Sequence, residues 1–154
     1  MIKILDITNE ETARQVLAAQ LPAYRVEAEL IGYEEIPPLK DTTGSLMACG
    51  ETFYGYYTDE TLAGAISFKL DEGTVDIHRM VVHPAYFRRG IAQALLSFVL
   101  QLEDEAVKFI VATGARNTPA KTLYLKNGFQ LLDEQEVAPG LALSFFEKKN
   151  NLDG

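Results

Sequence analysis

Two arginines and a glycine stand where a helix should begin, in the stretch VVHPAYFRRGIAQALL at residues 81–96. The first backbone N–H groups of a helix lack internal partners, and together with the helix dipole they bind phosphate oxygens. A cation at that end costs roughly 0.3–1 kcal/mol, so Arg88 and Arg89 become favourable once an anion is bound. Gly90 and Ala92 are small enough to let the anion approach the backbone. The spacing indicates an anion site, with a plain strand-to-helix connection as the alternative.

The loop belongs to neither of the two commonest phosphate-binding types. The P-loop pattern GxxxxGK[ST] is absent from the sequence, and so is the dinucleotide-binding pattern GxGxxG. The strands before the loop also read as antiparallel, whereas the dinucleotide-binding fold is built on parallel strands. The sequence therefore predicts a phosphate-bearing ligand of another kind.

The first half of the chain reads as a strand, two helices and three strands. Alternating apolar and polar residues predict a strand over residues 2–7, and a helical pattern runs from Asn9 to about Ile31. Pro22 is expected to divide that pattern into two helices, because proline tolerates a first turn better than an interior. The stretch IPPLKDTTGS is expected to be irregular. Residues 51–58, 62–70 and 74–82 then predict an antiparallel meander.

The second half alternates helices with strands. A helix is expected from about Arg89 to Glu105, followed by a nearly continuous apolar strand at residues 108–113. Thr118 is expected to cap a helix that starts at Pro119 and ends at the glycine of Lys126-Asn127-Gly128. Residues 129–134 and 141–147 are two final strands. The element order predicts an α/β or α+β domain with a mixed sheet.

The third strand of the meander contains a break in its alternation. Its apolar positions shift parity between Ile77 and Met80, with His78 and Arg79 at the break. A change of face within one strand is what a β-bulge produces.

Composition limits the classes of function. The 154 residues predict a single domain over residues 1–150, with a frayed tail at 151–154. A net charge of −8 argues against nucleic acid and suits an amine-bearing partner. No apolar run is long enough to cross a membrane, and the first ten residues carry charges, so a cytoplasmic protein is expected. A single cysteine, Cys49, leaves no internal disulfide or multi-cysteine metal site.

Two motifs, in order along the chain, resemble those of the GCN5-related N-acetyltransferase (GNAT) family. The family's V-x-P followed by Q/R-x-x-G-x-G/A is matched by Val82-His83-Pro84 and Phe87-Arg88-Arg89-Gly90-Ile91-Ala92. Phe87 departs from the Gln or Arg of that pattern, which puts one side-chain contact in doubt. The family's N-x-x-A-x-x-x-Y-x-K-x-G-F is matched by Asn117, Ala120, Tyr124 and Lys126-Asn127-Gly128-Phe129.

The resemblance implies a fold and a co-substrate. The fold is a mixed, mostly antiparallel sheet of six or seven strands flanked by about four helices. The co-substrate is acetyl-CoA, with no metal, and its pyrophosphate would bind the backbone amides of Arg88, Arg89, Gly90, Ile91 and Ala92. A bulge in the preceding strand would leave backbone groups of Met80 and Val82 for the pantetheine. Asn117 would contact the cofactor, or else cap its helix.

The resemblance also implies direct transfer of an acetyl group to an amine. Tyr124 matches the family position that protonates the leaving thiolate, and the Met80 amide is the expected support for the oxyanion. His78 lies where some family members carry a general base. Asp76, two residues earlier on the same strand, could orient His78 or replace it, and water could also relay the proton.

The acceptor would be a primary amine of a small molecule, peptide or protein, and a cationic one would suit the acidic, aromatic residues between Pro22 and Thr43. Those residues, with Tyr24 and Glu27 among them, could equally be a solvated helix face. A non-catalytic acyl-CoA sensor, another acyl group and an oxygen acceptor are the alternative functions. The last strand could pair across a homodimer.

Overall fold

Residues 1–150 form one seven-stranded sheet in the computed structural model, which describes that part of the chain; the predicted frayed tail lies outside it. The strand order is β1-β2-β3-β4-β5-β7-β6, and all neighbours are antiparallel except β4 and β5. The strands are β1 (Ile2–Leu5), β2 (Thr52–Thr58), β3 (Thr61–Asp71), β4 (Thr74–Val82), β5 (Lys108–Gly114), β6 (Gln130–Ala138) and β7 (Leu141–Lys149). The predicted mixed, mostly antiparallel sheet is confirmed.

Four α-helices of the described chain cover the sheet: α1 (Glu10–Ile31), α2 (Thr43–Met47), α3 (Ile91–Leu102) and α4 (Thr118–Lys126). Helices α3 and α4 pack on one face, where Leu95 and Tyr124 join an apolar cluster with β3, β4 and β5. Helices α1 and α2 pack on the other face, where Val16 and Leu46 join a second cluster around Phe53 of β2. The central strands are therefore buried on both sides, which accounts for the continuous apolar run in β3.

The predicted division at Pro22 is wrong, because α1 runs unbroken through it. Asn9 caps the helix by accepting a hydrogen bond from the Thr12 amide, and the helix ends at Gly32. Pro22 removes one backbone donor, but the buried stripe continues across it from Ala19 to Ala28. Packing of that stripe against the sheet outweighs the lost hydrogen bond.

The second N-terminal helix lies instead in the stretch predicted to be irregular. Residues 37–40 form a 3₁₀ turn, and α2 follows, with a capping box in which Thr42 and Ser45 bond each other's backbone amides. Its Leu46 is fully buried, which anchors this short helix to the core. The predicted elements of the second half are confirmed, although α3 starts two residues later than expected and β6 extends to Ala138.

Candidate active site

The break in the alternation of β4 is a β-bulge, as the sequence predicts. Arg79 pairs with Ser67 of β3 and Ile77 pairs with Phe68, so His78 is an extra residue without a partner on β3. Met80 packs against the α3–α4 cluster that contains Ile77, so the apolar side of β4 is the same before and after the bulge. The bulge therefore keeps His78 and Arg79 together on the α1 side.

Beyond the bulge, β4 and β5 separate. Their parallel pairing covers four positions and stops at Ile77 and Val111. The His83 amide donates to Ala63 of β3, so the alternate residues Met80 and Val82 point their backbone groups away from β3. Those groups face the gap left by β5. This is the arrangement that the sequence predicts for pairing with an extended ligand.

A cleft of about 620 Å³ opens at this gap and passes between the two faces of the sheet. One wall is α1, and the other is built from the start of α3 and from α4. The cleft brings together nine of the ten predicted site residues: His78, Met80, Val82, Arg88, Gly90, Ile91, Ala92, Asn117 and Tyr124. The tenth, Arg89, is absent from the lining, and its guanidinium lies 5.3 Å from the centre of the Tyr86 ring.

The start of α3 has the geometry of an anion site. Arg88 and Gly90 both adopt left-handed backbone conformations, with φ of 65° and 75°. The first backbone hydrogen bond of the helix runs from the Ala94 amide to Gly90, and no side chain caps the preceding amides. The amides of residues 91–93 therefore have no partner within the helix, and they lie beside the cleft.

Tyr124 lies at the other end of the cleft, inside the protein. Its side chain is 3% exposed and packs against the rings of Phe129 and Phe146, with ring centres 5.5 and 5.9 Å away. Burial raises the pKa of the phenol, and the negative charge of Glu27 raises it further. The hydroxyl therefore keeps its proton at neutral pH.

Asn117, rather than the predicted Thr118, caps α4. Its Oδ1 accepts from the Ala120 amide at 3.2 Å. Asn117 lies two residues before Pro119, and its side-chain oxygen reaches the first free amide after the proline, that of Ala120. Its Nδ2 donates to Glu27 Oε1 at 3.0 Å and to Thr113 Oγ1 at 3.3 Å. The capping alternative for Asn117 is confirmed, while a cofactor contact stays a prediction.

His78 is flanked by carboxylates on the α1 side of the bulge. Its Nε2 lies 3.3 Å from Asp76 Oδ2, and its Nδ1 lies 3.7 Å from Glu51 Oε2. The side chain is 32% exposed and contacts both the main cleft and a smaller one of about 190 Å³. Asp76 is thus placed to orient His78, as the sequence suggests, and the role of His78 as a base stays a prediction.

A buried ion cluster beside the bulge is the feature that sequence reasoning missed. Arg79 Nε lies 2.9 Å from Glu51 Oε1 and Nη2 lies 3.2 Å from Oε2, while Nη1 bonds Asp41 and the side chain of Gln20. Ser67 donates to Glu51 at 2.6 Å. Burial opposes charge on Glu51 and Asp41, but the hydrogen bonds from Arg79 outweigh it and hold both pKa values below the usual range.

Within residues 1–150 there is no group of three or more histidine, cysteine or acidic side chains that could hold a metal ion. None of the helices in that range is long and apolar enough to span a membrane.

Solved structures share this fold. The PaiA N-acetyltransferase from Thermoplasma acidophilum, solved in complex with coenzyme A, superposes with a TM-score of 0.78 at 19% identity, covering 97% of this chain and 99% of that one. The ribosomal-protein-S18-alanine N-acetyltransferase from Escherichia coli gives a TM-score of 0.79 at 13% identity, covering 100% and 97% of the two chains. The fold is therefore that of the N-acetyltransferases.

The sequence comparisons identify the family. Residues 49–131 match the model of the acetyltransferase (GNAT) domain. The UPF0157 protein YqkA of Bacillus subtilis (strain 168) is 42% identical over 146 residues, which cover 95% of this chain. The chain belongs to the GNAT family, and the resemblance carried by its two motifs is confirmed. It spans 43% of the length of YqkA.

Proposed function

We propose that this chain transfers an acetyl group from acetyl-CoA to a primary amine of a small molecule, peptide or protein. The observation that carries the proposal is the cleft at the β4–β5 gap, which joins the uncapped start of α3 to the buried hydroxyl of Tyr124. The uncapped amides of α3 and the phenol of Tyr124 thus line one cavity, where they could serve as an anion site and a proton donor. We place the reaction in the cytoplasm, as the sequence predicts.

The residues present fit acetyl-CoA. The free amides of residues 91–93 and the side chain of Arg88 would hold the pyrophosphate. Backbone groups of Met80 and Val82, unpaired on the side of β5, would hydrogen-bond the amides of the pantetheine arm. Since the sheet itself supplies these groups, the donor would be held in an extended form along β4.

The same cleft supplies groups for the chemistry. The Met80 N–H would stabilise the oxyanion that forms when a neutral amine attacks the thioester carbonyl. Tyr124 would give its proton to the departing thiolate. Removing the proton from the amine requires a base, and two side chains of the lining with the right chemistry are His78 and Glu27.

Calorimetry with acetyl-CoA, followed by thiol release across a panel of amines, tests the proposal. We expect binding of acetyl-CoA and turnover with at least one amine. Absence of binding at high micromolar protein would refute the proposal. Binding without turnover on any amine or hydroxyl compound would favour the acyl-CoA sensor, and faster turnover of a longer acyl-CoA or of an alcohol would favour the other transferase alternatives.

A further inference from the structure

Glu27 projects from the C-terminal part of α1 into the cleft and is held there by the opposite wall. Its Oε1 accepts hydrogen bonds from Asn117 at 3.0 Å and from Thr113 at 3.3 Å. These contacts join residues 90 and 86 positions away in the sequence. Both partners bond Oε1, and within residues 1–150 no hydrogen bond is made to Oε2, which leaves that oxygen available to a ligand in the cleft.

Glu27 lies at the end of the cleft where Tyr124 lies. Asn117, Ala120 and Tyr124 are spaced three and four residues apart on α4, and all three line the cleft. The pKa values of the two buried tyrosines also show that Glu27 is near them. Burial raises the pKa of Tyr124 and of Tyr24, and the charge of Glu27 raises both further. A carboxylate and a buried phenol therefore share this end of the cavity.

Acetyl transfer needs an acid and a base that both lie close to the reacting carbonyl carbon. The attacking nitrogen and the departing sulfur are bonded to the same carbonyl carbon, so the group that takes one proton and the group that gives the other must lie on either side of one atom. Tyr124 on α4 and Glu27 on α1 both line the cleft, and they are close enough for the charge of Glu27 to raise the pKa of Tyr124 beyond the effect of burial.

We propose that Glu27 is the general base of the reaction, a proposal that rests on the function proposed above. Glu27 Oε2 takes one proton from the acceptor's ammonium group, giving a neutral amine and a carboxylic acid. The amine adds to the thioester carbonyl, forming the N–C bond and the oxyanion that the Met80 N–H stabilises. When this intermediate collapses, the C–S bond breaks, the thiolate leaves with its electron pair, and Tyr124 protonates it. The second proton on nitrogen is released to water, and the proton on Glu27 returns through water to the Tyr124 phenolate.

His78 is less well placed for this step. Each of its ring nitrogens lies within 4 Å of a carboxylate, from Asp76 on one side and from Glu51 on the other. His78 lies between these two carboxylates and is shared between the main cleft and the smaller one. Glu27 lines the main cleft only, where Tyr124 also lies.

The α1 wall also defines the class of amine. Of the described residues that line the cleft, Glu27 alone carries a carboxylate, so one ammonium group can be paired. The neighbouring lining residues of α1 are Val26 and Leu30, which are 37% and 45% exposed although both are apolar. The proposed acceptor is therefore a monoamine whose carbon chain lies against Val26 and Leu30.

The test compares Glu27→Gln with wild type in a thiol-release assay. Glutamine keeps an oxygen that can accept from Asn117 and Thr113 but cannot take a proton, so the contacts between the walls are retained. We expect kcat/KM for n-hexylamine or phenylethylamine to fall about a hundred- to ten-thousandfold, with acetyl-CoA affinity unchanged in calorimetry. The wild-type enzyme should prefer these monoamines to spermidine.

Two further variants make the outcome decisive. Glu29→Gln removes the same charge from the exposed side of the same helix and should retain wild-type activity. His78→Gln should lose less kcat/KM than Glu27→Gln. The proposal fails if Glu27→Gln retains its kcat/KM, or if it loses acetyl-CoA affinity to the same extent. Failure of the function itself would be seen in wild type, as absence of both binding and turnover.

Discussion

Tyr124 combines two properties that seldom occur together, deep burial and contact with an open cleft. Burial beside Phe129 and Phe146 fixes the ring, and the raised pKa keeps the hydroxyl protonated well above neutral pH. Water cannot easily act as the proton donor in place of this hydroxyl, because the residues around it are apolar. The phenol is thus suited to donate one proton to the leaving group in each turnover.

We expect Tyr124→Phe to lower kcat about a hundredfold or more, because the thiolate then leaves without an internal proton donor. Acetyl-CoA affinity should be retained, since the ring and its packing remain. Thiol release and calorimetry on the same preparation measure the two effects. Tyr57→Phe on β2, outside the cleft lining, is the matched control. An unchanged kcat in Tyr124→Phe would show that the hydroxyl takes no part in the reaction.

The residues that the sequence predicted are those whose signal is local. The uncapped start of α3, the bulge at His78 and the position of Tyr124 each depend on spacing within about ten residues. The Glu27–Asn117 contact joins positions 90 apart, and the Arg79–Asp41 pair joins positions 38 apart. Such pairs depend on how α1 lies across the sheet, which no local pattern records.

At the scale of single elements, the start of α3 can be compared with a turn that has a similar backbone conformation. Gly90 has a φ of 75°, and a Cβ added there would meet no atom within 4 Å. Gly140, in the turn between β6 and β7, has a φ of 83° and equally open surroundings. The two glycines are alike in backbone strain, but only Gly90 lies in the cleft.

We expect Gly90→Ala and Gly140→Ala each to lower the free energy of unfolding by about 1–2 kcal/mol, because alanine is strained at positive φ. Only Gly90→Ala should weaken acetyl-CoA binding, since its methyl group would obstruct the approach of the pyrophosphate to the amides. Urea unfolding and calorimetry measure the two effects. Equal acetyl-CoA affinity in both variants would exclude the start of α3 as the pyrophosphate site.

The sequence also predicted most elements, and its two errors in the first half share a cause. Pro22 is a strong local signal for a helix boundary, and IPPLKDTTGS is rich in turn-forming residues. In both places a helix forms because its buried side chains pack on the core. The buried stripe from Ala19 to Ala28 stabilises α1 across Pro22, and the buried side chain of Leu46 stabilises α2. Tertiary packing outweighs local preference where an element covers the core.

At the scale of the whole molecule, Arg79 connects parts of the chain that are distant in sequence. It bonds Gln20 of α1, Asp41 beside α2 and Glu51 at the start of β2. Its partner Glu51 has a side chain only 6% exposed, so the pair is shielded from water. Removing one member of a buried pair leaves the other charge without compensation.

We expect Arg79→Met to lower the free energy of unfolding by about 3–5 kcal/mol at pH 7. Arg14→Met, which removes an exposed pair with Glu10, should change it by less than about 0.5 kcal/mol. Urea unfolding measures both. A similar loss in the two variants would contradict a special role for the buried cluster.

The same cluster should govern acid stability. The pKa values of Glu51 and Asp41 are lowered in the folded protein, so their contribution is complete above the unfolded values near 4 and is lost as the pH falls through the lowered ones. Unfolding measured from pH 7 down to pH 3 should therefore show the difference between wild type and Arg79→Met shrinking below about pH 4. A difference that stays constant over this range would contradict the assignment.

The passage of the cleft through the sheet has a kinetic consequence under the proposed function. The anion site at the start of α3 lies toward one face, and the wall formed by α1 lies toward the other. Acetyl-CoA and the amine can then enter the cleft from opposite faces of the sheet and be bound at the same time. The acetyl group would pass directly between them, without a covalent acetyl-enzyme intermediate. Raising the concentration of either substrate would not displace the other, so the enzyme would escape inhibition by excess amine.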